Sequence, residues 1–493
     1  MAPRRRRLHP PHRRSPDLPR RTLAPSCRRP PLRNPPAPER RAMNVILIAI
    51  DTLRADHLGC HGYRYDTSPS LDALAAEGAV FESFWAPSIP THPGFTTMLT
   101  GVHGVHHGIV SQGRPDAQLP GGIQLLPALL RGHNGLTTVA VDSLAPGHNW
   151  FLQGYDHYIT SRNGSAEWIT GAALKWLRAY GDEPFFMFLH PWDPHSPYTP
   201  PDPYKTLFTD SDPNDHDEEE WASVTQQLVY PFFKWFLYER MGNPRNFDYI
   251  RGQYDAEIRS CDDRLGEFFA GLKELGLWEN TAILITADHG ESMTEHHVFF
   301  EHHSIYDCVL HIPMIVRAPG RVSAGTRVRG MFQHCDIAPT VCDLVGREAA
   351  PQFDGRSMVP ATEGRDEGYD AIYCTEASRV ARWAIRTPDW KLMKIVSPGQ
   401  YHVDYDELFH VAEDPHETRN LIQERPDLAD ALELKLARWR DEMLGCGPDP
   451  VRVEMGRGST MEQNRQDGLQ YLGMTFDEWI RYYQERFCSP LHS

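Results

Sequence analysis

Short apolar runs recur along the chain, and each closes on a polar residue. The first, 44–50 (NVILIAI), ends at Asp51. Others follow at 136–141 (LTTVAV), 185–189 (FFMFL), 282–286 (AILIT) and 312–316 (IPMIV). Runs of this length that do not alternate suit strands buried on both faces, as in a parallel sheet. Between them lie stretches with helical spacing of apolar residues, at 69–77, 166–179 and 255–275. Strands alternating with helices predict an α/β fold with one large, mostly parallel sheet flanked by helices.

From about residue 370 the rhythm changes. Short strand-like pieces at 370–374, 383–386, 390–395 and 407–411 precede one long amphipathic pattern at 426–444. Several strands followed by a helix predict a smaller C-terminal antiparallel α+β subdomain over 366–445. A tail, 446–493, carries a second amphipathic stretch at 475–487. Residues 43–365 form the expected catalytic domain. Inside it, 202–250 breaks the pattern, an acidic stretch (210–220) running into an aromatic one (229–247). This reads as an insertion, either a lid near the site or a surface excursion packed on its own domain.

Charge divides the chain further. Residues 1–42 hold thirteen Arg and eleven Pro against Asp17 and Glu39. Such a segment buries too little apolar surface to order itself, and no apolar run follows its arginines as in a secretory signal. It reads as a dispensable leader with Met43 as the working start, a basic nucleic-acid or targeting arm being the alternative. The whole chain still carries −16, which argues against a general nucleic-acid partner. The longest apolar runs reach about ten residues, half of what a membrane-spanning helix needs. Nine Cys, an odd number without any CxxC, fit reduced thiols and a cytoplasmic location better than a disulfide scaffold or structural zinc.

In doubly wound sheets, functional groups collect just beyond the carboxyl ends of the strands. Asp51 follows the first run directly, and Asp288 and His289 follow the run at 282–286. Thr91 stands where a turn feeds a helix start, beside backbone donors and the positive end of the helix dipole. Two carboxylates, an imidazole and a hydroxyl suit one divalent cation, Mn²⁺, Mg²⁺, Ca²⁺ or Zn²⁺. Such a cation lowers a hydroxyl's pKa and favours attack on a phosphorus or sulfur centre. No Gly-rich phosphate loop follows a strand.

These motifs, in this order, resemble the sulfatase family of the alkaline phosphatase superfamily. Residues 44–63 look like its opening strand and metal Asp, and 88–101 like its nucleophile helix. Residues 185–201 resemble its Pro-His-x-Pro-Tyr segment, and 286–320 its second metal motif. Residues 333–346 and 404–421 resemble later landmarks. The resemblance spans about 44–445. It implies an alkaline phosphatase-like fold, a divalent metal and hydrolysis of a small anionic ester. By position, Asp51, Thr91, Asp288 and His289 match metal ligands, and Thr91 also the nucleophile. His195 matches a substrate-side His, and His302 falls where a Lys often contacts the anion.

The departures narrow the chemistry. Family sulfatases oxidise a Cys or Ser to formylglycine within Cys-x-Pro-x-Arg. Here the stretch reads Thr91-His92-Pro93-Gly94-Phe95, and Thr cannot form that aldehyde hydrate. The Lys and His that grip sulfate are missing from 141–146 (VDSLAP), with His148 a weak substitute. A Thr ester must be hydrolysed by water, which is ordinary at phosphorus. The expectation is a metal-dependent hydrolase of phosphate mono- or diesters. A formylglycine-independent sulfatase and a catalytically weak anion-binding protein are the alternatives. The run Glu295, His296, His297, Glu301, His302, His303, with His190 and Asp193, is a candidate for a second metal.

Overall fold

The structure is a computed structural model. It describes residues 43–457 apart from 113–116, 146–147, 161–163, 228–229 and 399–403, together with residue 478. The Arg/Pro-rich stretch 1–42 and the helix expected over 475–487, Glu478 aside, lie outside the described residues.

The apolar runs become the middle of a nine-stranded sheet. Its strands are β1 (Asn44–Ala49), β2 (Ala79–Trp85), β3 (Thr137–Val141), β4 (His157–Ile159), β5 (Phe185–Leu189), β6 (Thr281–Thr286), β7 (His311–Ile312), β8 (Met314–Arg317) and β9 (Thr326–Gln333). The order is β4-β3-β5-β1-β6-β8-β2-β7, with β9 on β2. β1 lies parallel to both β5 and β6, and every residue of the three is buried. Burial on both faces explains why these strands read as unbroken apolar runs. Antiparallel pairing begins at β8, which turns back along β6 and β2. The expected α/β class holds.

Helices Ala166–Tyr180 and Phe247–Glu274 pack on this sheet through one continuous apolar core. The second starts eight residues before the pattern read at 255. Asn246 caps it by accepting the Tyr249 N–H at 2.8 Å. The insertion holds a helix, Glu218–Thr225, and a π-helical turn, Lys234–Tyr238. Its Tyr230 packs on Tyr238, Tyr238 on Trp221, and Trp221 on Phe247, which meets Phe299 and Phe300 in the His-rich run.

A second, antiparallel sheet runs β10 (Ile372–Ala377), β11 (Ala381–Arg386), β12 (Lys391–Ser397), β13 (Glu407–Phe409). Helix Pro426–Leu444 covers it with Ala429, Leu432 and Leu436. The Thr375 N–H donates to Pro87 O at 2.9 Å, tying this sheet to the loop that leads into Thr91. Both sheets belong to one unit beginning at Ala42.

Candidate active site

Sheet register assembles the site. Ile48 pairs with Leu189 on one side and with Ile285 on the other, so β1, β5 and β6 end at one level. The ladder runs on past the strands: Ile50 N–H donates to Thr286 O at 2.9 Å, and Asp51 N–H to Pro191 O at 3.0 Å. Asp51, His190 and Asp288 must therefore meet, and all three are fully buried. Asp51 Oδ2 lies 3.2 Å from His190 Nε2, while His190 Nδ1 lies 2.7 Å from Asp142 Oδ1. Burial opposes the charge on His190, but hydrogen bonds to two carboxylates push it up to about 10.

Thr52 shows what the local backbone costs. It sits at φ 58°, a left-handed conformation worth about 1–2 kcal/mol of strain for a side chain with a Cβ. That turn aims its N–H at Asp288 Oδ1, 3.1 Å away, and its carbonyl at the Tyr254 hydroxyl, 2.8 Å away. Asp288 Oδ1 also accepts the His289 N–H at 2.9 Å. His289 Nδ1 faces Gly290 O at 2.9 Å and donates to it. Its Nε2 is thereby left with a lone pair, 3.2 Å from Asp288 Oδ2 and 3.3 Å from Thr91 Oγ1.

Thr91 opens helix Thr91–Thr100, buried along its whole length. Its approach to Asp288 depends on Gly94, where a Cβ would stand 2.8 Å from the Asp288 carbonyl oxygen. Glycine alone lets the helix start sit this close.

The donor set fits a divalent cation. Asp51 Oδ1 and Asp288 Oδ2 are buried without any hydrogen-bond partner. Asp51, Asp288 and His289 each offer a ligand atom, all within 4.8 Å of one another. Burial, then the Asp51 charge, pushes Asp288 well above the usual carboxylate range. Burial works the same way on Asp51, yet His195 and His190 hold it well below that range. Two crowded carboxylates with unspent lone pairs beside a neutral imidazole match hard-cation ligation. Among the described residues, no other such trio converges.

His302 stacks on His289 with ring centroids 4.2 Å apart, and His195 lies 5.3 Å from His302. Both expected substrate-side histidines thus flank the cluster. Burial first, then His195, pushes His302 down to about 3. Of the rest of the His-rich run, His303 stays beside His302 with ring centroids 4.8 Å apart, and the others disperse. Glu295 pairs with Arg54 at 2.8 Å, His296 stacks on Tyr306, and Glu301 pairs with Arg379 at 2.7 Å. Asp193 turns away as well, accepting the Ala166 N–H at 2.6 Å. The residues weighed for a second cation therefore do not gather around one point.

Sequence reasoning missed the Asp142–His190–Asp51 chain. Asp142 lies in the very stretch where the family's sulfate-gripping residues were sought, and His190 caps an apolar run as Asp51 does. The His148 ring stands 3.9 Å from that of His92, next to Thr91. Arg379, on the turn between β10 and β11, carries no local signal.

A central β1 flanked by parallel strands, with acidic groups at their carboxyl ends, makes an alkaline phosphatase-like fold. The description "Sulfatase" matches residues 43–347, and "N-sulphoglucosamine sulphohydrolase, C-terminal" matches 295–442. The chain belongs to the sulfatase family, whose relatives here are ester-cleaving hydrolases. It is 23% identical to N-acetylglucosamine-6-O-sulfatase of Bacteroides thetaiotaomicron, over 86% of this chain and 91% of that one. It is 24% identical to the multifunctional alkaline phosphatase superfamily protein PehA of Trinickia caryophylli, over 77% and 91%. Among solved structures, phosphonate monoester hydrolase of Agrobacterium radiobacter superposes with a TM-score of 0.67 at 22% identity, over 82% and 96%, which supports the fold.

Proposed function

We propose that this protein is a metal-dependent hydrolase of phosphorus esters, phosphate mono- or diesters, with Thr91 as its nucleophile. The observation that carries this is an unmodified hydroxyl, Thr91 Oγ1, 3.3 Å from His289 Nε2 at the edge of an acidic cluster. Relatives named as a phosphonate monoester hydrolase and a multifunctional alkaline phosphatase superfamily protein support phosphorus chemistry.

Asp51, Asp288, His289 and Thr91 would hold the cation, one Mn²⁺, Mg²⁺, Ca²⁺ or Zn²⁺. Once bound, it would favour the deprotonated Thr91 oxygen and offset negative charge on the ester's non-bridging oxygens. The protein's own groups do the rest. The helix start points backbone donors and a positive dipole end at the same place. Thr91 Oγ1, its proton lost to solvent, bonds to phosphorus as the bond to the leaving oxygen breaks. His195 gives that oxygen a proton, while His302, kept neutral by its burial, steadies the ester by hydrogen bonding. Water then cleaves the threonine ester at phosphorus, returns one proton to the imidazole and restores the Thr91 hydroxyl as phosphate, or from a diester the phosphate monoester, departs.

A panel of phosphate monoester, phosphate diester, phosphonate ester and sulfate ester, assayed with each of the four metals, tests the class. Sulfate ester cleavage alone would replace the phosphorus reading with the sulfatase named among its relatives. Mass spectrometry of enzyme quenched during diester turnover tests the nucleophile. The peptide carrying Thr91 should gain the transferred group. Thr91→Ala should lose about 10³-fold in rate or more, the usual scale for removing a nucleophile. Near wild-type turnover in that variant would make a water the attacking group and Thr91 a helix-start residue only.

A further inference from the structure

We propose that Trp192 is the platform on which a flat ring of the substrate stacks, so that the natural ester carries an aromatic group next to the reacting centre. This rests on the reading of the cluster as an ester-hydrolysing site.

Trp192 is an exposed large aromatic residue, with 38% of its surface open, beside a site that is otherwise buried. It lies two residues beyond His190 and three before His195. Its ring centroid is 5.9 Å from the first imidazole and 5.1 Å from the second. His190 in turn bonds Asp51. The indole therefore borders the reacting centre through both of its flanking histidines.

The residue is also anchored. The backbone N–H of Trp192 donates to Gly164 O at 2.9 Å. A Cβ on Gly164 would meet Trp192 Cδ1 at 2.4 Å, so the glycine gives the indole its seat. The neighbouring Asp193 holds the first amide of helix Ala166–Tyr180. An indole pinned at its backbone loses little freedom on binding a ligand. Phe236, from the π-helical turn, approaches the same His195 edge-on at 6.3 Å, with the Arg240 guanidinium 5.2 Å over its own ring. With the Phe236 face covered by Arg240, the open aromatic face beside His195 is that of Trp192, which favours flat rings over short alkyl chains.

Binding of two phosphonates that cannot be hydrolysed, benzylphosphonate and ethylphosphonate, separates this from the chemistry. Calorimetry on the full chain with MnCl₂ gives the ratio of their dissociation constants. The wild-type protein should prefer benzylphosphonate by about tenfold or more, the scale of one aromatic pair. Trp192→Phe should keep most of that preference, and Trp192→Ala should bring the ratio to within about twofold of one. Equal affinities in the wild type, or an unchanged ratio in Trp192→Ala, would overturn the platform even if esters are turned over. A preference that depends on Trp192 in a protein that cleaves no ester would uphold the platform and refute the hydrolase reading.

Discussion

Asp288→Asn should make the protein more stable in a chelator and less responsive to metal. Asp51 and Asp288 each bury an oxygen that nothing in the protein satisfies. A buried polar atom left this way costs about 1–3 kcal/mol, more when it is charged. Asn keeps the oxygen that accepts from the Thr52 and His289 N–H groups at 3.1 and 2.9 Å. It replaces the other oxygen with an amide NH₂ that can donate toward Asp51. In EDTA the variant should therefore gain about 1–3 kcal/mol. With metal the order reverses. Ligand at a hundred times its dissociation constant stabilises the parent by about 2.7 kcal/mol, and the variant, short of one anionic ligand, gains little of that. Thermal unfolding in EDTA and across an MnCl₂ titration should show the two curves cross, with activity lost in the variant. If the variant is less stable than the parent in EDTA and gains the same amount with Mn²⁺, the Asp288 oxygen is structural and the ligand assignment fails.

Three further outcomes follow from the geometry. Gly94→Ala forces its new Cβ, 2.8 Å from the Asp288 carbonyl, to retreat by about 0.7 Å to reach ordinary contact, carrying the Thr91 helix start with it; kcat/KM should fall about 10–10²-fold while Tm moves only a few degrees, and unchanged kcat/KM would show the close approach to be incidental. His195→Ala and His302→Ala should each cost about 10²–10⁴ in turnover with metal content by elemental analysis retained, whereas wild-type rates in both would remove them from the mechanism. Arg379→Ala strands the buried Glu301 carboxylate and should cost about 3–5 kcal/mol in urea unfolding, while a loss below about 1 kcal/mol would mean that Glu301 finds another partner.

Asp51, Asp288 and His289 were legible because each follows a strand whose burial on both faces leaves an unmistakable apolar run. The helix at 426–444 came out at its observed ends because Pro426 and a steady amphipathic period mark them. β2 and β9 escaped notice for the opposite reason. AVFESFW and TRVRGMFQ each mix apolar with polar residues, and Glu82 of one pairs with Arg327 of the other. The run at 312–316 divides into β7 and β8 at Pro313, which has no N–H to give a ladder. Asp142 closes the run at 136–141 as Asp51 closes the first, but nothing local ties it to His190, and Thr52 could not be found from sequence at all. Their roles arise from neighbours that lie far off along the chain, and no local period records those.

The position of β1 has a consequence for how the protein is made. Its first residue, Asn44, reaches across to Thr281, 237 residues later. A ribosome adding about 5–20 residues per second takes roughly 10–50 s to cover that distance. For all that time NVILIA, an apolar strand with both edges open, waits without β6, and for much of it without β5. Arg379, which pairs with the residue before His302, emerges later still. The nascent chain should therefore hold chaperones at its N-terminal third until the C-terminal sheet is out, and ribosome-bound fragments ending before about residue 290 should be aggregation-prone and devoid of the site.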